Sequence, residues 1–169
     1  MIRKAEPRDL PAVYEMFLKL TEYLEEKGQT LYAKDIKQRH NAIMGFIVGK
    51  FYHEQSLILV SEDSHGGVNG FLIGEVRQME PFFEHQWIAE IQWTYPLSLN
   101  TRQFARQFEE WGRGLGATAG SNYHTPGNEF AGKMMEHEGR RVAWQYYTVP
   151  FKDIDTEPCR IDIKVCREG

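Results

Sequence analysis

Two carboxylates fall within stretches that read as strands: Glu75 in GFLIGEVR and Glu90 in HQWIAEIQWTY. A carboxylate midway along a strand can serve as a general base, taking a proton directly or through one water. The same group can instead lie on a solvated sheet face or in a structural ion pair, and the sequence leaves both readings open. Other chemistries are poorly served. The 6 histidines, His40, His53, His65, His85, His124 and His137, show no i, i+4 pair and no grouping with cysteine at ligand spacing, so no metal site is expected. Cys159 and Cys166 bracket CRIDIKVC; if extended they lie roughly 23 Å apart on opposite faces, beyond disulfide reach. Free thiols in a reducing compartment are therefore expected. GRGLGA has the glycines of a phosphate loop but closes a helix where such a loop would open one. Trp87, Trp93 and Trp111 fall on apolar faces, which favours packing over a stacking platform for bases.

Periodicity supplies the elements that must position these groups. Asp9 before Pro11 reads as a helix start, and Val13, Phe17, Leu20 and Leu24 give that helix one apolar face to about Glu26, with Gly28 as its stop. A second helix is expected from about Lys34 to Phe51, turning Ile36, Ile43, Phe46 and Ile47 inward. LILVSE, then DSHGGVN, then GFLIGEVR reads as an antiparallel hairpin. In the following strand, alternation groups Trp87, Ala89, Ile91 and Trp93 on one face and Ile88, Glu90, Gln92 and Thr94 on the other. Asn100 or Thr101 is the expected cap of the next helix, whose buried stripe is Phe104, Phe108, Trp111 and Leu115 and which ends near Gly114 to Gly116. ATAGSNY then gives a short strand, Pro126 opens a helix to about Glu138, RRVAWQYYTVPF makes a long strand, and DTEPCRIDIKVC adds an edge strand or packed tail. This order predicts an α/β protein of the α+β type: a mixed, mostly antiparallel central sheet flanked by helices.

Composition bounds the partners. The 169 residues suit one domain, and 20 basic against 24 acidic side chains, with no block of like charge, predict no nucleic-acid groove. No apolar run approaches the roughly 18 residues of a bilayer span, and the first residues are too polar for a secretion signal, so a cytoplasmic protein without membrane contact is expected.

The opening IRKAEPRDLPAVYEMF, the hairpin LILVSEDSHGGVNGFLIGEV, the helix end EEWGRGLGA and the segment NEFAGKMMEHEGRRVAWQYYTVPF resemble, in this order, the GNAT N-acetyltransferase superfamily. The resemblance covers residues 1–151 as one GNAT-like domain and leaves 152–169 as a C-terminal extension. It implies acetyl transfer from acetyl-CoA to an amine, on a small molecule or a protein, in a cleft between the central strand and the short strand after the cofactor-side helix. In that cleft Glu90 would be the base and Glu75 a second one. The implied cofactor contacts are Trp93, Ser98, Asn100, Thr101, Arg102, Arg106 and Asn128, with the pyrophosphate at the helix start near Thr101, where backbone donors and the dipole favour anions.

The chain departs from the family pattern in two places. TYPLSLNTRQFARQ has no glycine where the family usually has a glycine-rich turn, so Ser98, Asn100, Thr101, Arg102 and Arg106 would have to supply donors and charge. Met135 stands where many members have the tyrosine that protonates the leaving thiolate, a role Tyr123 or His124 would then take. These departures motivate an alternative reading: a non-catalytic GNAT-like binding or structural module, for example a virus-encoded assembly protein. Exposed strand edges near the tail are compatible with a homodimer or another assembly partner.

Overall fold

A computed structural model describes residues 1–26, 36–82, 86–96 and 100–122. Strand β1 (Ile2–Lys4) leads through one 3-10 turn (Pro7–Asp9) into α1 (Leu10–Glu26). Then come α2 (Ile36–Tyr52), β2 (Ser56–Glu62), β3 (Val68–Gln78), β4 (Trp87–Tyr95), α3 (Asn100–Gly114) and β5 (Ala119–Asn122). The 5 strands among the described residues form one sheet in chain order, antiparallel from β1 to β4, with β5 parallel to β4. Parallel neighbours need a crossover, and α3 supplies it. The mixed, mostly antiparallel α/β architecture expected from the sequence is the one found.

The sheet separates two cores. On one face, Val13, Phe17, Leu20 and Leu24 of α1 and Ile43 and Ile47 of α2 bury against Ile58, Val60, Phe71 and Ile73. Phe17 anchors this layer, with ring centroids 5.8 Å from Phe71 and 5.0 Å from Trp93. The other face takes α3: Phe104 and Phe108 pack on Leu57, Leu72, Val76, Ala89 and Ile91. Contact there is close enough that a Cβ on Gly74 would meet Phe108 Cζ at 2.4 Å, and one on Gly112 would meet Ala89 Cβ at 2.5 Å.

Four local expectations are corrected. Asp9 does not cap α1; its carboxylate turns back to accept from the Glu6 N–H (2.7 Å) and the Arg3 guanidinium, closing a capping box around the 3-10 turn. Strict alternation fails in β4, because Ile73 pairs with Trp93 and Gly74 with Ile91, leaving Gln92 with no residue opposite. This bulge moves Trp93 off the Ala89–Ile91 face and onto the α1/α2 side. Trp87, at the start of β4, is 36% exposed, and Leu115, past the end of α3, is 48% exposed, so neither belongs to a core. Neither Asn100 nor Thr101 stands before α3, which already begins at Asn100; the Thr101 hydroxyl donates to the Pro96 carbonyl (3.4 Å). At its other end α3 closes with Gly116 at φ +91° and the Ala117 N–H donating to the Gly112 carbonyl, a left-handed cap that favours glycine.

The helix expected from Pro126, the strand RRVAWQYYTVPF, the tail with Cys159 and Cys166, the stop at Gly28 and the boundary at 151 all lie outside the described residues.

Candidate functional site

Glu75 and Glu90 are direct partners in the β3–β4 register. Residues so paired project to one face with Cβ atoms about 5 Å apart, and two bare carboxylates there would repel each other. The fold gives each a cation. Arg77, two positions along β3 from Glu75, donates from Nε to Glu90 Oε2 (2.8 Å) and from Nη2 to Glu90 Oε1 (2.9 Å). Lys50, in the last turn of α2, reaches down past the Phe46 ring and donates from Nζ to Glu75 Oε2. The Glu90 side chain is 6% exposed and that of Glu75 19%, so both carboxylates are shielded from bulk water, whereas the Arg77 side chain is 39% exposed.

Gln92 completes the group. From the bulge its Nε2 donates to Glu75 Oε1 (2.8 Å). An ionised carboxylate only accepts, so the amide must turn its NH2 toward Glu75 and its carbonyl away. That carbonyl oxygen is buried and meets no hydrogen-bond donor among the described residues. β4 also runs past its parallel neighbour: the β5 pairing extends from Ile88↔Ala119 to Ile91↔Asn122, and β4 continues to Tyr95 with no partner on that edge among the described residues.

The candidates inferred from sequence thus fall into two sets. Glu75, Glu90 and Trp93 share the α1/α2 side of the sheet around the bulge. Thr101, Arg102 and Arg106 lie on the first turns of α3, across the sheet; both arginines are exposed. Ser98, Tyr123, Asn128 and the Asn100 side chain lie outside the described residues. Sequence reasoning missed Lys50, Arg77 and Gln92. Arg77 had a usable signal, since Glu75-x-Arg77 puts both charges on one strand face.

A cavity of about 120 Å³, lined by Glu109, Arg113, Thr118 and Gly120 among others, lies between the end of α3 and β5. It is at the far end of the β4–β5 pair from the bulge and below the roughly 300 Å³ of a small-molecule site. Among the described residues no group of three or more His, Cys, Asp or Glu side chains could hold a metal, and no helix is long and apolar enough to cross a membrane.

No protein-family profile matches the chain, and no curated protein matches it in sequence. Solved structures do match in shape. A tetramutant of a Bacillus halodurans protein superposes with a TM-score of 0.69 at 16% identity, over 89% of this chain and 99% of its own. The aminoglycoside antibiotic 6'-N-acetyltransferase AAC(6')-IG of Acinetobacter haemolyticus follows at 0.64 and 14%, over 90% and 99%. AAC(6')-Iy, in complex with a bisubstrate analogue of CoA and acetylneamine, matches at 0.67 and 11%, over 90% and 98%. At these identities the likeness is one of fold alone: the chain has the GNAT fold that these N-acetyltransferases share.

Proposed function

We propose that the chain is an acyl-CoA-dependent N-acyltransferase that moves an acetyl group from acetyl-CoA to an amine. The observation that carries this reading is the bulged β4, which continues past its pairing with β5 beside two carboxylates and leads into the N-terminus of α3. An unpaired strand edge can receive an extended amide-bearing arm, and a helix start beside it suits a pyrophosphate. Arg102 and Arg106, one turn apart and exposed, would meet the phosphate charge. AAC(6')-Iy has been crystallised with CoA, which supports this use of the shared fold.

In this reading the amine nitrogen attacks the thioester carbonyl, a C–N bond forms, and a backbone amide of the Gln92–Tyr95 stretch steadies the oxyanion. The C–S bond then breaks, the amine proton passes to a carboxylate, and CoA leaves as a thiol protonated by Tyr123 or by water. Of the two carboxylates, Glu75 suits the base better. Both Glu90 oxygens are held by a guanidinium that does not give up its proton, whereas Glu75 is held by one flexible lysine and one neutral amide.

Calorimetric titration with acetyl-CoA tests the reading. Micromolar binding that disappears in the Arg102→Ala, Arg106→Ala double variant is the expected result. The absence of heat at high micromolar ligand would overturn it in favour of a non-catalytic GNAT-like module.

A further inference from the structure

We infer that the buried carbonyl of Gln92 receives the acceptor amine, and that the acceptor is therefore a monoamine with a single charge and not a polycation. The inference rests on the N-acyltransfer reading and adds to it a specificity residue and a substrate class. Two observations carry it.

The first is the orphan oxygen. Gln92 Oε1 is buried without a donor among the described residues, although the same side chain is fixed through Nε2 to Glu75. A buried acceptor left unmet costs about 1–3 kcal/mol, and the residue cannot escape by flipping its amide, because that would set a carbonyl against a carboxylate. An N–H donor arriving from outside the protein meets this need. It would also sit beside Glu75, the group proposed to take its proton, and beside the half-buried ring of Trp93.

The second is charge. Among the described residues the site brings two carboxylates to two cations, in the ion pairs Lys50–Glu75 and Arg77–Glu90. A polycationic acceptor binds through carboxylates with charge to spare; here each is already countered within the fold. Recognition then falls to a directed hydrogen bond to a neutral group, which screening by salt affects little.

Acetyl transfer to phenylethylamine and to kanamycin, measured at low and high salt, tests both parts. The wild-type protein should use phenylethylamine with the higher kcat/KM, and its KM should change less than about twofold when salt brings the screening length to roughly 3 Å. Gln92→Met, close in shape but without the carbonyl and without the Nε2 donor to Glu75, should raise the phenylethylamine KM about tenfold, the ratio for one lost hydrogen bond, and leave the acetyl-CoA KM unchanged. Gln92→Glu, which adds an uncountered charge, should shift preference toward kanamycin with a strongly salt-dependent KM. A wild-type preference for kanamycin, an unmoved amine KM in Gln92→Met, or no transfer to either probe by protein that binds acetyl-CoA overturns this inference alone. Failure to bind acetyl-CoA at all overturns the N-acyltransfer reading beneath it.

Discussion

At the β1–β2 edge the Arg3 guanidinium uses every N–H group it has. Nε and Nη2 donate to Glu62 Oε1 (2.8 and 2.6 Å), Nη1 and Nη2 to the two Asp9 oxygens (2.7 and 3.0 Å), and Nη1 also to the Lys4 carbonyl (3.1 Å). Elsewhere in the sheet, at β3–β4, the cluster of Lys50, Glu75, Gln92, Arg77 and Glu90 contains as many carboxylates but ends on a buried carbonyl with no donor among the described residues. Both clusters draw on residues distant in sequence, and in both the carboxylates are largely shielded. Completeness separates them: a cluster that exists to staple strands can close on itself, whereas one that must receive a substrate has to leave a position open.

The largest effect that could break this contrast is on rate. Glu75→Gln keeps the side chain's shape but removes the proton acceptor, and kcat per folded molecule should fall by about 100-fold or more. A variant that loses stability but keeps its rate would show the β3–β4 cluster to be a second staple. Arg3→Met is the converse: it strands Asp9 and Glu62, so chemical denaturation should show a large loss of stability, while kcat per folded molecule holds.

A smaller effect separates both clusters from the frame between them. Gly74 sits between the bulge and Phe108, and its missing Cβ leaves room for the Phe108 ring and the Glu90 carbonyl at 2.4 and 2.6 Å. Gly74→Ala should cost about 1–3 kcal/mol in denaturant unfolding as the α3 layer shifts. If it also lowers the acetyl-transfer rate beyond the loss of folded protein, the bulge geometry and the α3 packing are one device.

The contrast between the clusters was only partly legible in the sequence. Helical spacing correctly buried Val13, Phe17, Leu20 and Leu24, because α1 packs along one continuous stripe. The hairpin was legible because the Asp63 carboxylate organises its turn, accepting from the His65 and Gly67 amides with Gly66 at φ +81°. The bulge was not. Alternation runs unbroken through Ala89, Ile91 and Trp93, and only pairing with β3 decides that Gln92 is the extra residue. Glu75 and Glu90 were found as strand carboxylates, but Lys50 lies 25 residues from Glu75 on another element, and nothing local announces that pair. Asp9 was misread for a related reason. Asp before Pro imitates a helix cap, and Arg3, which claims the carboxylate, enters from the neighbouring strand.

The smallest effect concerns pH and the closed cluster alone. The Asp9 carboxyl is held below its ordinary 3.8, first by the hydrogen bonds from Arg3, then by the Glu6 N–H and the nearby positive charge, against the opposing effect of burial. A carboxyl depressed in the folded state contributes stability that is complete above its unfolded value and is lost as pH falls through the folded one. The wild-type unfolding free energy should therefore decline as pH drops below about 3.8, with a contribution from this one proton of at most about 1.4 kcal/mol per pH unit. Asp9→Asn has no proton to gain, so the difference between the two proteins should be constant above pH 5 and narrow only below 4. A difference that stays constant through that acid range would mean that Asp9 gains nothing from Arg3 as a charge, and the cluster at the β1–β2 edge would then be a staple by shape and hydrogen bonding alone.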